Sequence, residues 1–373
     1  MTNTLLSMME GNGTAACIVL LALGIVLVVK GGDWFVDAAS WIAEVSGIPS
    51  FIIGATIVSV ATTLPEILVS SISAAQGQAE MAIGNAVGSV NCNIALIMAI
   101  SLIFIAPAIK RKDYVVKMGI LLTTIAALWG LSSNGEFNWW NAIIVLTLFV
   151  AFIVENLVSA KKHSAALLND KGIESIEENQ PKGNGILFDY FEKKEARKIA
   201  LKKTGMVIER KDIAKNIILF LLGAGAIFCG AQLMCDNGAA IARDMGIPEG
   251  IIGVTILAVG TSLPELVTAI TSIVKKKSDL SVGNIIGANI IDLSLILPLC
   301  TFITLGKTGT PLPVDAQSLT IDFPFCIAAA GLAVIPALIM GKFKRWQGIL
   351  MLCGYVTYVT LLILNTVKVI QIF

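Results

Sequence analysis

GATIVSVATTLPEILVS, at residues 54–70, determines how the rest of this chain is interpreted, because the chain repeats it as GVTILAVGTSLPELVTA at residues 253–269. The match extends without a gap from residues 47–93 to residues 246–292, at a constant offset of 199. Of the 47 aligned positions, 17 are identical. They include the same Gly, Pro, Thr and Glu residues, which unrelated apolar helices do not share in register. The sequence therefore predicts an internal duplication.

The chain is too apolar to cover itself with polar surface in water. Of its 373 residues, 56% are hydrophobic and 14% are charged, and the mean hydropathy is +0.83. A helix that crosses a hydrocarbon core of about 30 Å needs roughly 20 mostly apolar residues. Ten such spans are predicted, at residues 14–45, 48–76, 80–106, 114–132, 138–160, 214–245, 249–274, 280–305, 320–341 and 346–370. We therefore expect an all-α polytopic protein in a lipid bilayer.

The duplication divides the chain into three parts. Residues 1–160 form the first five-helix repeat, residues 161–213 a charged cytoplasmic linker, and residues 214–373 the second five-helix repeat. Because five is an odd number, the second half enters the membrane from the opposite side, which predicts inverted repeats. Such repeats place their substrate site near the bilayer midplane, commonly on interrupted helices.

Basic residues concentrate in the connections after spans three, five, seven and nine. Outside the linker they are Lys110, Arg111, Lys112, Lys117, Lys275, Lys276, Lys277, Lys342, Lys344 and Arg345. The positive-inside rule makes these connections cytoplasmic and both termini extracytoplasmic. A prokaryotic inner membrane suits such a chain. The net charge of +1, scattered among loops, argues against nucleic acid as a partner.

Two acidic residues lie in the middle of predicted spans, Glu66 and its repeat partner Glu265. An ionisable side chain at that depth costs at least about 2.5 kcal/mol unless it faces a cavity or a counter-charge. No Lys or Arg is close in sequence, so a bound metal cation is the simplest counter-charge. A protonated glutamate that is hydrogen-bonded inside the bundle is the structural alternative.

A proline precedes each glutamate. Pro65 and Pro264 have no amide hydrogen, so the carbonyls around Ala61 and Gly260 lose their helical partners. Freed carbonyls at membrane depth need another partner, and a hard cation accepts both carbonyl and carboxylate oxygens. A kink filled by Ser or Thr hydroxyls is the alternative.

Further oxygen-bearing side chains repeat around the glutamates. Thr62 and Thr63 lie four and three residues before Glu66, and Thr261 and Ser262 lie at the same spacings before Glu265. This spacing predicts that each glutamate shares a helix face with hydroxyls of its own half. Asn93 and Asp292 occupy matched positions in the next span and can complete an oxygen cluster. The intervening motifs, GNAVG at residues 84–88 and GNIIG at residues 283–287, have a spacing that predicts close helix packing.

With these motifs, the sequence resembles the cation/calcium exchanger superfamily, specifically its prokaryotic sodium/calcium exchanger branch. The two alpha repeats of that family carry the T-[TS]-L-P-E and G-N-x-x-G-[SA] patterns that are present here, and the resemblance covers both halves. It implies that the second, third, seventh and eighth helices surround four ion sites. It also implies that the long first and sixth helices slide to alternate access.

The resemblance also implies a set of ligands. Glu66 and Glu265 would be the central calcium ligands, with backbone oxygens of Thr62 and Thr261, and Asn93 and Asp292 would occupy the middle position. Sodium sites would use Ser59, Thr62, Thr63, Glu66 and Ser89 on one side, and Ala258, Thr261, Ser262 and Glu265 on the other. Ser59 and Ala258 would contribute carbonyls. Ala288 departs from the family pattern, which commonly has a serine there, and so leaves the sodium stoichiometry open.

We therefore expect a secondary active antiporter that exchanges Ca²⁺ for Na⁺ by alternating access at a midplane carboxylate site. Both ions are cargo that binds transiently, no cofactor is expected, and a monomer is compatible with the sequence. An antiporter driven by H⁺ or K⁺, or one that carries another divalent cation, stays open, as does a passive channel. An intramembrane enzyme is disfavoured because the only histidine, His163, lies in the linker and no nucleophile motif is present.

Overall fold

A computed structural model describes residues 2–46, 48–105, 111–170, 210–245 and 258–366, and almost all of them are helical. The helices are α1 (Thr2–Ser46), α2 (Ser50–Thr62), α3 (Leu64–Ala75), α4 (Ala79–Phe104), α5 (Arg111–Leu131), α6 (Trp139–Asp170), α7 (Arg210–Asp244), α8 (Ala258–Thr261), α9 (Leu263–Val274), α10 (Ser278–Thr308), α11 (Ser318–Met340) and α12 (Arg345–Thr366). Two short strands, β1 (Glu136–Phe137) and β2 (Leu312–Pro313), pair antiparallel.

Eight of the described helices are long and apolar enough to cross a membrane, and there are nine if the bent pair α2 and α3 counts as one span. The mostly helical, membrane-spanning architecture is therefore confirmed. The seventh predicted span is represented by α8 and the 12-residue helix α9, since its beginning, at residues 249–257, lies outside the described residues. Residues 171–209 of the predicted linker also lie outside them. The count of ten spans and their inversion stay predictions.

The structure repeats the same local backbone at positions separated by 199 residues. The broken helices change direction at Thr63 (φ −84°, ψ −2°) and at Ser262 (φ −86°, ψ 6°), each followed by a helix with proline in its first turn. In the first half the bend is 45°. The predicted interruption of both spans at the prolines is therefore confirmed, because neither proline can donate to the preceding turn.

The helix that follows each broken span carries a second matched feature. A π-helical turn begins at Asn93 in α4 and another begins at Asp292 in α10. Such turns are rare and occur often at functional sites, because they release backbone groups from the regular hydrogen-bond ladder. Helices α4 and α10 are also the most buried spans of the described part of the chain.

Helix α2 packs closely on α10 at glycines. A Cβ atom added at Gly283 would lie 2.2 Å from the carbonyl oxygen of Phe51, and one added at Gly54 would lie 2.4 Å from that of Leu280. A Cβ atom added at Gly287 would lie 2.7 Å from the Cα atom of Ala55. Glycine at these positions lets the two backbones touch, so the helix that leads to Glu66 is held directly against α10.

The two longest helices, α1 and α7, pack along one another through glycines as well. A Cβ atom at Gly24 would lie 2.8 Å from the carbonyl oxygen of Gly230, and one at Gly31 would lie 2.9 Å from that of Gly223. Outward-facing positions on the peripheral helices are apolar, with Leu221 and Val356 both more than half exposed. These faces suit contact with lipid.

One part of the charge-based interpretation is wrong. Lys117 was expected in a basic cytoplasmic connection, but it lies within α5 and is fully buried. Its ammonium group forms a short ion pair with Glu155 of α6 and lies 5.4 Å from the centre of the Phe51 ring. A counter-charge and an aromatic face offset the cost of burying the ammonium group, so Lys117 carries no information about which side is cytoplasmic.

Candidate functional site

Three buried carboxyl groups lie in the region where the broken helices approach α4 and α10. Glu66 and Glu265 stand in the first turns of α3 and α9, and Asp292 begins the π-helical turn of α10. Each is 1% exposed, and each lies near enough to another of the three to interact electrostatically. Among the described residues, no salt bridge reaches any of the three. The prediction that both glutamates are buried without a basic partner therefore agrees with the described structure.

Hydrogen bonds join the two halves at this point. The Thr62 hydroxyl donates to Oδ1 of Asn284 at 3.2 Å, and the Thr63 hydroxyl donates to Oε1 of Glu265 at 3.5 Å. Hydroxyls had been expected to serve the glutamate of their own half. The structure corrects this expectation, because the break at Thr63 turns these side chains toward the second half.

A third contact joins the halves from the other direction. The hydroxyl oxygens of Ser89 in α4 and Thr261 in α8 lie 3.3 Å apart. The alanine at position 288, which matches Ser89, is fully buried and supplies no hydroxyl. The site is therefore built from both halves but does not have equal chemistry on its two sides.

Many polar atoms at this junction are buried and, within the described part of the chain, have no hydrogen-bond partner. They are both carboxylate oxygens of Glu66, Oε2 of Glu265, both carboxylate oxygens of Asp292, both side-chain amide atoms of Asn93 and the hydroxyl of Ser262. Each such group costs about 1–3 kcal/mol when it is left unpaired, and charged groups cost more. A cation that binds these oxygens would remove much of that cost.

The donor set is mixed. No three His, Cys, Asp or Glu side chains in the described ranges converge closely enough to hold a metal ion by themselves. A cation at this junction would therefore combine carboxylate oxygens with hydroxyl, amide and backbone oxygens. Such an all-oxygen set suits hard cations, since Ca²⁺ takes six to eight oxygens of these kinds.

Two further predicted ligands, Ser59 and Ala258, precede the helix breaks and would contribute backbone carbonyls. The Ser59 carbonyl already accepts hydrogen bonds from the Thr63 amide at 2.9 Å and from the Thr62 hydroxyl at 3.4 Å. A sodium ion bound here would share this oxygen with the two hydrogen bonds. Ala258 is the first residue of α8, so its carbonyl lies one turn before the break at Ser262.

Two site residues were missed by sequence reasoning. Asn85 donates to the Ser70 hydroxyl at 2.9 Å and to the Glu66 carbonyl at 3.4 Å, and its repeat partner Asn284 accepts from Thr62. Both asparagines belong to the glycine motifs that were interpreted only as packing signals. Their identity at matched positions inside two spans was the available signal, because a buried amide at membrane depth carries the same cost argument as the glutamates.

A cavity of about 460 Å³ opens beside the junction. Asn85 and Ser89 of α4 and Thr261 of α8 line it, together with both site prolines. The cavity therefore gives water and small ions a route to the hydroxyl pair of Ser89 and Thr261.

Membrane-crossing helices that enclose such a carboxylate junction at two helix breaks define an integral membrane ion transporter. The family model for sodium/calcium exchanger proteins matches residues 16–158 and 215–364. The chain belongs to this family.

Individual relatives cover nearly the whole chain. The sodium/calcium exchanger MaX1 of Methanosarcina acetivorans is 31% identical over 355 residues, which are 92% of this chain and 97% of the relative. The inner membrane protein YrbG of Escherichia coli is 28% identical over 351 residues, covering 92% and 95% of the two chains. A solved structure of the sodium-calcium exchanger NCX_Mj, soaked with Na⁺ and Sr²⁺, is 25% identical and superposes with a TM-score of 0.70 over 93% of this chain and 99% of that one.

Proposed function

We propose that this protein is a secondary active antiporter that exchanges Ca²⁺ for Na⁺ by alternating access at the carboxylate junction. The observation that carries the proposal is the set of three buried carboxyl groups from both halves, with no salt bridge to a basic residue in the described part of the chain. Buried carboxylates that repel one another electrostatically cannot all stay ionised unless cations neutralise them. Either one divalent cation or several monovalent cations satisfy the site.

Sharing of ligands would couple the two fluxes. Glu66 and Glu265 serve both the proposed calcium set, with backbone oxygens of Thr62 and Thr261, and the proposed sodium sets. Because one carboxylate cannot neutralise both kinds of ion at once, calcium and sodium exclude one another. The names of MaX1 and NCX_Mj give the same pair of ions for relatives that span this chain.

Contacts between connections support ten spans in two inverted halves. Lys307, after the eighth proposed span, donates to the carbonyl of Ala75 at the end of the second span, at 2.5 Å. Strands β1 and β2 join the fourth connection to the eighth. Lys277, in the seventh connection, pairs with Glu44, at the end of the first span, at 3.0 Å. Even-numbered connections thus contact one another and so do odd-numbered ones, as alternate crossing requires.

The same arrangement supports a membrane orientation. With the basic odd-numbered connections in the cytoplasm, both termini are extracytoplasmic. YrbG is named as an inner membrane protein, and we propose the same location for this chain.

One position in the site favours a driving ion other than Na⁺. The buried alanine at position 288 removes a hydroxyl where its repeat partner Ser89 has one. Sodium prefers a complete oxygen shell, whereas a proton needs only a carboxylate. This position therefore favours H⁺ dependence as the second candidate function, with the same divalent cargo.

Imposed gradients test the function. Purified protein in proteoliposomes should take up radiolabelled Ca²⁺ when Na⁺ is high inside and low outside, and should do so more strongly than under a K⁺ or pH gradient. Glu66→Gln and Glu265→Gln should abolish this uptake, whereas Glu80→Gln, at an exposed position in the first turn of α4, should retain it. Ca²⁺ uptake that is the same with and without the Na⁺, K⁺ and pH gradients would indicate a channel. Sodium-driven uptake by Glu66→Gln or Glu265→Gln would refute the proposed ion site.

A further inference from the structure

We propose that Asp322, Tyr358 and Asn91 form a second cation-binding site, in the wall of the cavity that leads to the central junction. The site would hold Ca²⁺, in competition with Na⁺, on carboxylate, phenol and amide oxygens. Its role as a station on a transport route rests on the proposed function, whereas the binding itself does not.

The anchor of this site is a carboxylate for which sequence analysis gave no role. Asp322 ends the π-helical turn at the start of α11 and is 3% exposed. Its Oδ1 atom accepts a hydrogen bond from the Tyr358 hydroxyl of α12 at 2.9 Å, and its Oδ2 atom accepts one from Gln317 at 3.5 Å. No salt bridge reaches it within the described residues. A carboxylate within an apolar span needs a counter-charge or a cavity.

Asn91 supplies a second, independent observation. This side chain is fully buried, and its amide nitrogen donates to the Asp322 backbone carbonyl at 3.2 Å. Its Oδ1 atom is buried and has no hydrogen-bond partner among the described residues. A buried, unpartnered amide oxygen on a side chain that contacts the backbone of Asp322 is suited to a cation.

The position of Asn91 in α4 explains why it serves this cluster instead of the central junction. Successive helical residues are rotated by about 100°, so Asn91 lies roughly opposite Asn93 on the helix. Asn93 is a predicted ligand of the central junction, and Asn91 contacts α11. Helix α4 therefore presents one asparagine to each cluster.

The two clusters share a cavity. The same 460 Å³ space is lined by Asp322 and Tyr358 at one part and by Ser89 and Thr261 at another. Asp236 of α7 also lines it, and its carboxylate contacts the side chain of Gln232. Acidic walls raise the local concentration of cations in such a cleft, so a cation at Asp322 would stand beside the entrance to the central site.

The hydrogen bond from Tyr358 to Asp322 could instead serve only to hold α12 against α11. The substitution Asp322→Asn separates the two roles, because the amide oxygen can still accept from Tyr358 while the negative charge is lost. A packing role predicts unchanged cation binding in this variant, whereas the proposed site predicts its loss.

Equilibrium binding in a background without the central glutamates tests the proposal. Purified full-length protein carrying Glu66→Gln and Glu265→Gln should still bind one Ca²⁺ per chain, displaceable by Na⁺. Adding Asp322→Asn should abolish this binding, whereas adding Glu136→Gln, an exposed acid in β1, should not. A background protein that binds no Ca²⁺, or one that binds it equally with Asp322→Asn, would overturn the proposal.

Transport gives a second readout that does not depend on folding of the triple variant. Asp322→Asn alone should raise the Ca²⁺ concentration for half-maximal uptake by roughly tenfold, on one side of the membrane only, with the maximal rate retained. An unchanged half-maximal concentration on both sides would also overturn the proposal. Failure of the central site is distinguishable, because it would appear as normal flux in the Glu66→Gln protein.

Discussion

Gly283→Ala should damage both stability and transport, because it places a methyl group inside the contact between α2 and α10. The new Cβ atom would lie 2.2 Å from the Phe51 carbonyl oxygen, and real Cβ atoms essentially never approach closer than 3.0 Å. The helices must therefore separate by about 0.8 Å, since packed interiors have little free space. Overpacking of this kind costs about 1–3 kcal/mol. The same movement would lengthen the 3.2 Å bond from Thr62 to Asn284 beyond the limit of about 3.5 Å.

Thermal unfolding in detergent and sodium-driven Ca²⁺ uptake in proteoliposomes measure the two effects. Gly306→Ala is the matched control, because it makes the same substitution in the same helix at a position where no described atom lies within 4 Å of the added Cβ. We expect a lower unfolding temperature and reduced uptake for Gly283→Ala, and neither for Gly306→Ala. Wild-type stability and flux in Gly283→Ala would refute the packing of α2 on α10 and its link to the site.

Three further predictions address other parts of the molecule. Ala288→Ser should lower the Na⁺ concentration for half-maximal Ca²⁺ uptake by adding the hydroxyl that Ser89 supplies in the first half, and an unchanged concentration would argue against a sodium ligand at this position. Lys117→Met should cost about 3–5 kcal/mol of stability by leaving Glu155 unpaired, and adding Glu155→Leu should restore most of it; equal thermal stability of the single variant and wild type would contradict a buried ion pair. Lys275→Gln removes ion pairs with Asp33 and Asp37, whose side chains are 44% and 66% exposed, so unfolding should change by less than about 1 kcal/mol; a larger loss would show that these pairs are more shielded than their exposure indicates.

The sequence was sufficient for features that depend on local rules. The apolar runs predicted where the described spans lie, because bilayer thickness sets the length of an apolar helix, although α1 begins at Thr2 instead of residue 14 and α6 ends at Asp170 instead of residue 160. Pro65 and Pro264 predicted the helix breaks, since a missing amide hydrogen acts on the residue's own helix. The cost of burying charge predicted a functional role for Glu66 and Glu265, and both side chains are buried.

Features that depend on contacts between distant elements were not predictable in the same way. Lys117 and Glu155 are 38 residues apart, and nothing in the local sequence indicates that they meet inside the bundle. The hydroxyls of Thr62 and Thr63 reach the second half because of how α2 rests on α10, a relation that helical spacing within one span does not contain. Nothing in the local sequence indicated that Asp322, near the start of α11, contacts Tyr358 of α12.

Competition between calcium and sodium for one set of carboxylates is the central claim, and equilibrium binding to the purified protein tests it most directly. Ca²⁺ binding should be displaced by Na⁺ in an Asp322→Asn protein, which lacks the proposed second site, and adding Glu265→Gln to that protein should remove the displaced component. Calcium binding that persists in the Asp322→Asn, Glu265→Gln protein with unchanged affinity, or that is indifferent to Na⁺ in the Asp322→Asn protein, would contradict a shared site.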